Sequence, residues 1–382
     1  MKKKSVILLI ILCLLIVGCD NKDIVKKSSN DKEKVEKDVY YKDYLFSKYY
    51  KESINKVKKM SVEEKVGQLF LVRYDSSIVN SNNKYYPSGY VLFARDFENQ
   101  TKDSIKKEID NDQKISKYPL IMAVDEEGGY VTRISRFTAF RDSKFLSNRY
   151  YYDNGGFDEL KKIESEKATL LKSIGINLNL APVADVSTNP DDFIYNRALG
   201  YDANKTAEFI KNMVKYSNDN RIGSCLKHFP GYGNNVDTHT GVAIDNRSYD
   251  SISNNDYLPF KSGIEEGVPS ILVSHNVVKS IDADYPSSLS KKVVTGELRD
   301  KLKYTGIVMT DDLAMDAVKD YVENGEAATL AINAGNDLII TSDFINMYNE
   351  VLKNVKSGII DEKVLNDAVI RVTAFKEYLI GG

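Results

Sequence analysis

The chain reads as short apolar runs separated by longer amphipathic stretches. The runs fall at 69–72, 89–93, 120–124, 176–180, 223–226, 270–273, 306–309 and 337–340. Stretches at 102–116, 157–173, 203–218, 257–266, 291–301 and 326–334 carry apolar residues at helical spacing. Eight alternations of strand and helix predict an α/β fold, a single-domain (β/α)8 barrel of the TIM type, with a doubly wound open sheet as the alternative. The domain is placed at 52–382. Its first helix is marked by Ser61-Val62-Glu63-Glu64, a capping box in which Ser61 and Glu64 satisfy free amides at a helix start. Val62, Val66, Leu69 and Phe70 then share one face.

Polar residues follow the runs. Asp125 closes the third, Asp185 lies just past the fourth, and Lys227 and His228 close the fifth. Ser274 and His275 close the sixth, and Asp311 and Asp312 the seventh. In a barrel these positions gather at the C-terminal face, where active sites are built. Any one of them could be a strand-end cap, but agreement across five strands points to a shared site.

With 382 residues and 42% hydrophobic composition, the chain can bury a large core. Its 53 basic and 55 acidic residues leave no strongly basic footprint, which sets nucleic acid aside as a partner. Residues 1–18 read as a signal peptide: Lys2, Lys3 and Lys4, then an apolar run from Ser5 to Val17 that is too short to span a bilayer comfortably. Leu15-Ile16-Val17-Gly18-Cys19 resembles the lipobox of bacterial lipoproteins, which implies cleavage before Cys19 and lipidation of its thiol. Residues 19–51 are then a lipidated cysteine and a charged tether. A flexible segment of about 25 residues spans roughly 25–30 Å. The tyrosine-rich end of the tether, 40–50, is where the chain could instead dock on the domain as a helix. Cleavage leaves 50 basic against 55 acidic residues, a charge of −5. It also leaves Cys225 alone in an apolar run, where it reads as a small buried hydrophobe. The expected location is the outer side of the bacterial cell membrane, as a lipid-anchored monomer.

Two of the three histidines lie in segment 226–239, and His239 stands two residues after Asp237. Groups at i and i+2 on extended backbone point the same way, so a carboxylate there can hold an imidazole in one tautomer. Taken alone, the segment allows catalysis or metal binding, with His228, Asp237 and His239 as candidate metal ligands. Barrel metallohydrolases need a His-x-His at the first strand, and 69–74 has none, so no metal or other cofactor is expected.

Lys227-His228-Phe229-Pro230-Gly231 with Asp237-Thr238-His239, Val124-Asp125-Glu126-Glu127-Gly128-Gly129 and Met309-Thr310-Asp311-Asp312-Leu313-Ala314-Met315 together resemble the family 3 glycoside hydrolases, in their β-N-acetylglucosaminidase branch. Ala181-Pro182-Val183-Ala184-Asp185-Val186 and Asn196-Arg197-Ala198-Leu199-Gly200 also resemble that branch. The resemblance implies that Asp311 is the nucleophile and His239 the acid/base, bonded to Asp237. It implies sugar contacts at Asp125, Arg133, Arg197, Lys227 and His228, with a salt bridge to Glu126 or Glu127 as the other reading of Arg133. Strand alternation puts Asp311 and Asp312 on opposite sides, so Asp312, like Asp316, is read as supporting. His275 matches a common family position, and Gly128 and Gly129 are expected to permit a turn. One departure stands out: many members carry a second histidine after Gly231, where this chain has Tyr232.

The expected activity is that of a retaining exo-β-N-acetylglucosaminidase acting on muropeptides or related oligosaccharides. A β-glucosidase or an N-acetylglucosaminide phosphorylase is the alternative within the family, and a non-catalytic sugar-binding lipoprotein the alternative outside it. Larger members carry a second domain that can supply the acid. Here the histidine-bearing loop is expected to supply it.

Overall fold

Strands of a parallel sheet covered by helices are buried on both faces, so they carry apolar residues without alternation. The eight runs behave in this way. The computed structural model describes residues 42–234, 243–319, 321–322 and 326–381. Its principal strands are β1 (Phe70–Arg73), β2 (Gly89–Leu92), β3 (Ile121–Val124), β4 (Leu178–Asn179), β5 (Gly223–Phe229), β6 (Ser270–Val273), β7 (Ile307–Thr310) and β8 (Ile339–Thr341). All ladder pairs are parallel, and the order is β8-β1-β2-β3-β4-β5-β6-β7. A parallel bridge between Met309 and Leu338, with the Thr310 N–H donating to the Leu338 carbonyl at 3.1 Å, joins the two ends. The result is a (β/α)8 barrel rather than an open sheet.

The surrounding helices are α1 (Ser47–Val57), α2 (Val62–Gly67), α3 (Lys102–Ile115), α4 (Asn148–Ser173), α5 (Ala203–Asp219), α6 (Tyr257–Glu265), α7 (Lys292–Lys301), α8 (Glu326–Ala334), α9 (Phe344–Lys356) and α10 (Glu362–Gly381). The capping box at α2 forms as read: the Ser61 N–H donates to Glu64 at 2.8 Å, and the Glu64 N–H to the Ser61 hydroxyl at 3.2 Å. α4 begins well ahead of the expected 157, because Gly156 at φ 61° and ψ −148° joins two helical pieces across a kink. α9 was not among the expected helices. Its buried Phe344, Met347, Tyr348 and Val351 have the helical spacing that would have found it.

α1 crosses the expected domain start at 52, and the compact unit begins at Asp43. Phe46 and Tyr50 are the reason, since both are buried. The Phe46 ring lies 5.5 Å from Phe375 and 5.2 Å from Tyr378, so the end of the tyrosine-rich stretch docks on α10. Cys19, the expected signal peptide and most of the expected tether lie outside the described residues. Among the described residues, no helix is long and apolar enough to cross a membrane. Cys225 is fully buried, and burial pushes its thiol up to about 12, as suits an inert core residue.

Lys376 on α10 lies at the opposite, N-terminal side of β1. Its amine donates to the Gln68 side chain at 2.6 Å, and only 3% of the residue is exposed. Burial pulls its pKa down to about 7 from 10.5. Between those values the unfolded chain binds a proton that the folded chain does not, so stability rises with pH across this window. Lys376→Met is expected to raise the melting temperature by a few °C at pH 7. Thermal melts from pH 7 to 10.5 should show the gain shrinking as pH rises; a pH-independent difference would contradict the assignment.

Candidate active site

β5 is the longest barrel strand, and its pairing with β6 shifts register between Leu226 and Phe229. The shift matters because a regular strand sends neighbouring side chains to opposite faces. Here consecutive Lys227 and His228 both line one cavity. The Lys227–His228 peptide is cis, as are Ala181–Pro182 and Phe229–Pro230. The cavity, of about 320 Å³, lies at the C-terminal ends of the strands and is lined also by Asp125, Glu127, Arg133, Arg197, Asp311 and Asp312. Its apolar wall comes from Val91, Phe93, Val131, Leu180, Leu272, Met315 and Ile340. It is of the size and composition of a small-ligand site.

The three carboxylates after β3 take three different tasks. Asp125 faces the cavity and accepts from the Lys227 amine at 2.7 Å. Glu126 turns away and holds the following loop, accepting from the N–H groups of Arg133 and Ile134 at 2.8 Å each. Glu127 lies between two cations: Lys227 at 2.6 Å, and Arg197, whose guanidinium reaches both carboxylate oxygens at 2.8 and 3.1 Å. Burial alone would push the Glu127 carboxyl up. The charges of Lys227 and Arg197 overcome burial and hold it well below the usual carboxylate range. Burial likewise opposes the charge on Lys227, and Asp125 and Glu127 more than restore it, leaving its pKa raised. Gly128, at φ +98°, makes the expected turn; a Cβ there would sit 2.3 Å from the Leu146 carbonyl oxygen.

His228 is fixed on both ring nitrogens. Nδ1 lies 2.7 Å from Asp185, and Nε2 lies 3.1 Å from the Arg197 guanidinium. Since arginine can only donate, Nε2 accepts and Nδ1 carries the proton. A metal ion at Nε2 would have to displace a cationic donor. Asp185 does more than orient the ring: it also accepts from the His228 N–H at 3.1 Å and the Tyr232 N–H at 2.7 Å. Tyr232 is buried, with its ring edge-on to His228 at 5.1 Å. Tyr232, the one departure noted after Gly231, thus acts as an aromatic brace for His228.

Asp311 follows β7 directly, and its N–H continues the ladder to Val273 at 3.1 Å. One carboxylate oxygen accepts from the Asp312 N–H at 2.8 Å. Asp312 also borders the cavity, because regular alternation ends with the strand at Thr310. Its carboxylate is engaged by the N–H groups of Ala314 at 2.9 Å and Ser342 at 3.1 Å. His275 is buried, with Nδ1 on the Ser288 hydroxyl at 2.7 Å and Nε2 on the Asp312 carbonyl at 3.1 Å. It therefore supports the turn that carries Asp311. Asp237 and His239 lie outside the described residues.

Arg133 is not paired with Glu126 or Glu127 through its side chain. Only its backbone meets Glu126, and its guanidinium lies 3.9 Å from Asp125.

Over residues 61–375 the sequence matches the model of the glycosyl hydrolase family 3 N-terminal domain. The chain belongs to glycosyl hydrolase family 3. Among family relatives, a beta-hexosaminidase A from Pseudoalteromonas piscicida is 30% identical over 275 residues, covering 68% of this chain and 46% of the relative. A beta-hexosaminidase from Hydrogenovibrio crunogenus is 28% identical over 272 residues, covering 70% of this chain and 75% of the relative. The family 3 β-N-acetylglucosaminidase of a Paenibacillus species superposes with a TM-score of 0.78 at 26% identity, covering 84% of this chain and 63% of that one. The chain thus spans less than half the length of the first of these and about two thirds of the last.

Within this family 3 barrel, the sequence left three residues that shape the cavity without a role there. Glu127 was read only as a possible partner of Arg133. Asp185 was among the strand-end residues expected to share a site, but was given no role there. Arg73 closes β1 and borders the cavity, and a cation ending the first strand was the signal that could have found it.

Removing Glu127 would leave Lys227 and Arg197 buried beside one fewer anion. Glu127→Gln is expected to cost about 3–5 kcal/mol in denaturant unfolding at neutral pH. Because the folded carboxyl titrates below the ordinary 4.5, its contribution is present above that value and lost as pH falls further. The gap between wild type and variant should narrow below pH 4.5; a gap that widens would contradict the ion-pair account.

Proposed function

We propose that this cavity is the glycone site of a retaining exo-β-N-acetylglucosaminidase acting on muropeptides or related cell-wall oligosaccharides. The observation that carries the reading is the position of Asp311, at the end of β7, in one cavity with Asp125, Arg197, Lys227 and His228. A carboxylate there can attack an anomeric carbon while acids and cations across the cavity hold the hydroxyls. The beta-hexosaminidase names of relatives at 28–30% identity support the N-acetylhexosaminide class.

In the first step, a carboxylate oxygen of Asp311 bonds to the anomeric carbon as the glycosidic bond breaks. The departing oxygen takes a proton from His239, oriented by Asp237. Water then attacks the same carbon, gives its proton to His239, and the bond to Asp311 breaks. Two inversions leave the configuration retained. Histidine titrates near neutrality, so it can give and take that proton without a large shift. The chain works in this reading as an exported lipoprotein anchored through Cys19.

A panel of chromogenic β-glycosides, with and without phosphate, tests the activity. N-acetylglucosaminide is expected to be cleaved faster than glucoside, giving free N-acetylglucosamine, and Asp311→Ala to lower kcat by at least about 10³-fold. Faster cleavage of the glucoside, release of sugar 1-phosphate, or an Asp311→Ala variant of undiminished activity would each overturn part of the reading. Cys19→Ser is expected to release the protein from the membrane fraction; continued retention would rule out the lipid anchor.

A further inference from the structure

A second, smaller cavity of about 250 Å³ has no part in the mechanism. Its walls include Gly129, Tyr130 and Lys144 from the loop after β3, Arg149 and Tyr150 from the first turn of α4, and Asn196 from the loop after β4. Glu127 stands two positions before Gly129, and Arg197 one position after Asn196. The ion pair between Glu127 and Arg197 faces the catalytic cavity, so the same two loops border both cavities. Asp311 borders only the first, and a sugar held in the second is therefore not the one being cleaved.

Tyr130 is 77% exposed and Tyr150 50%, the two most exposed tyrosines among the described residues. Two such rings lining one cavity form a surface for another molecule. Both are held in place. Gly128 and Val131 bridge across the turn that carries Tyr130, the Gly129 N–H donates to the Phe145 carbonyl at 2.9 Å, and the Tyr150 ring lies edge-on to buried Tyr151 at 5.8 Å. The charged groups are cations alone, since none of the lining residues is acidic. The Lys144 amine donates to the Gly129 carbonyl at 3.2 Å. Arg149 stacks 3.8 Å from the centre of the Tyr195 ring and donates to the Leu199 carbonyl at 2.9 Å. Neutral carbonyls leave both charges in place, and neither residue forms an ion pair with another described residue. In a chain of net charge −2, this cavity is a local positive site that favours an anion.

We propose that this cavity is a non-catalytic saccharide site for a sugar that carries a carboxylate. The C–H face of a pyranose packs on the electron-rich face of a tyrosine ring, and the carboxylate accepts from Lys144 and Arg149. The exposed amide of Asn196 is placed to meet a hydroxyl or N-acetyl group. The volume is below the roughly 300–1,000 Å³ of drug-sized ligand pockets and suits one sugar ring. The choice of a sugar rests on the cell-wall reading above. A glycan gripped here keeps its chain ends near the catalytic cavity, which raises their effective concentration there.

The probe is N-acetylmuramic acid, with its methyl ester as control, titrated into the full chain and into Tyr130→Ala, Lys144→Met and Asp125→Asn, with binding read from the NMR signals of the sugar. Wild type is expected to bind the acid at least about fivefold more tightly than the ester, and Tyr130→Ala to weaken the acid about tenfold or more. Lys144→Met should narrow the preference for the acid, and Asp125→Asn, in the other cavity, should leave binding unchanged. No binding, equal binding of acid and ester, or an acid preference untouched by Lys144→Met overturns the site. So does a loss of binding in Asp125→Asn but not in Tyr130→Ala, which puts the probe in the catalytic cavity. Cleavage of a chromogenic N-acetylglucosaminide, measured alongside, is expected to stay within about twofold of wild type in Tyr130→Ala. If wild type cleaves no such substrate but binds the acid through Tyr130, the glycosidase reading fails and the site stands; if cleavage is intact and the acid does not bind, the site fails alone.

Discussion

The cavity depends on one buried ammonium. Lys227 is 2% exposed and lies within 2.7 Å of two carboxylates, Asp125 and Glu127, that approach it from the end of another strand. Moving any one of these charges out of water is unfavourable, and the cost is offset only when all are present in close geometry. Glu127 passes the constraint on to Arg197, and Arg197 to His228, which Asp185 fixes from behind. A chain of charges thus joins the ends of β3 and β5 to the loops after β4. Each link sets the direction of the next side chain, so the polar groups facing the cavity are held before any ligand arrives.

This arrangement separates two kinds of work. Asp185, Glu126 and His275 satisfy backbone groups or rings and do not project new chemistry into the cavity; they hold the loops in which Asp125, His228 and Asp311 sit. Asp312 shows the same economy, with its carboxylate turned to amides while its neighbour remains at the cavity wall. The barrel supplies what all of them share: strand ends that converge on one face, over an apolar interior that excludes water from the network.

Much of the fold was legible because a parallel barrel writes itself as apolar runs without alternation, and all eight runs became strands. What was harder to read depended on long-range contacts. The docking of α1 was open in the sequence only as the alternative to a free tether, and it turns on Phe46 meeting Phe375, more than 300 positions away. In the site, Asp125, Lys227, His228, Arg197 and Asp311 were legible as strand-end or motif residues, and the structure brings them into one cavity. Glu127 and Asp185 were not assigned, since their roles are set by partners about 40 to 100 positions away. Alternation misled at Asp312, because the strand stops at Thr310 and the rule stops with it.

The central claim, that Asp311 is the group that attacks sugar, is tested most directly by trapping. A fluorinated N-acetylglucosaminyl fluoride slows the breakdown of any glycosyl-enzyme it forms, and mass spectrometry of the full chain and its peptides then locates the adduct. One sugar on the Asp311 carboxyl is the predicted result. A sugar on Asp312 or Asp125, or inactivation without any covalent adduct, would contradict it.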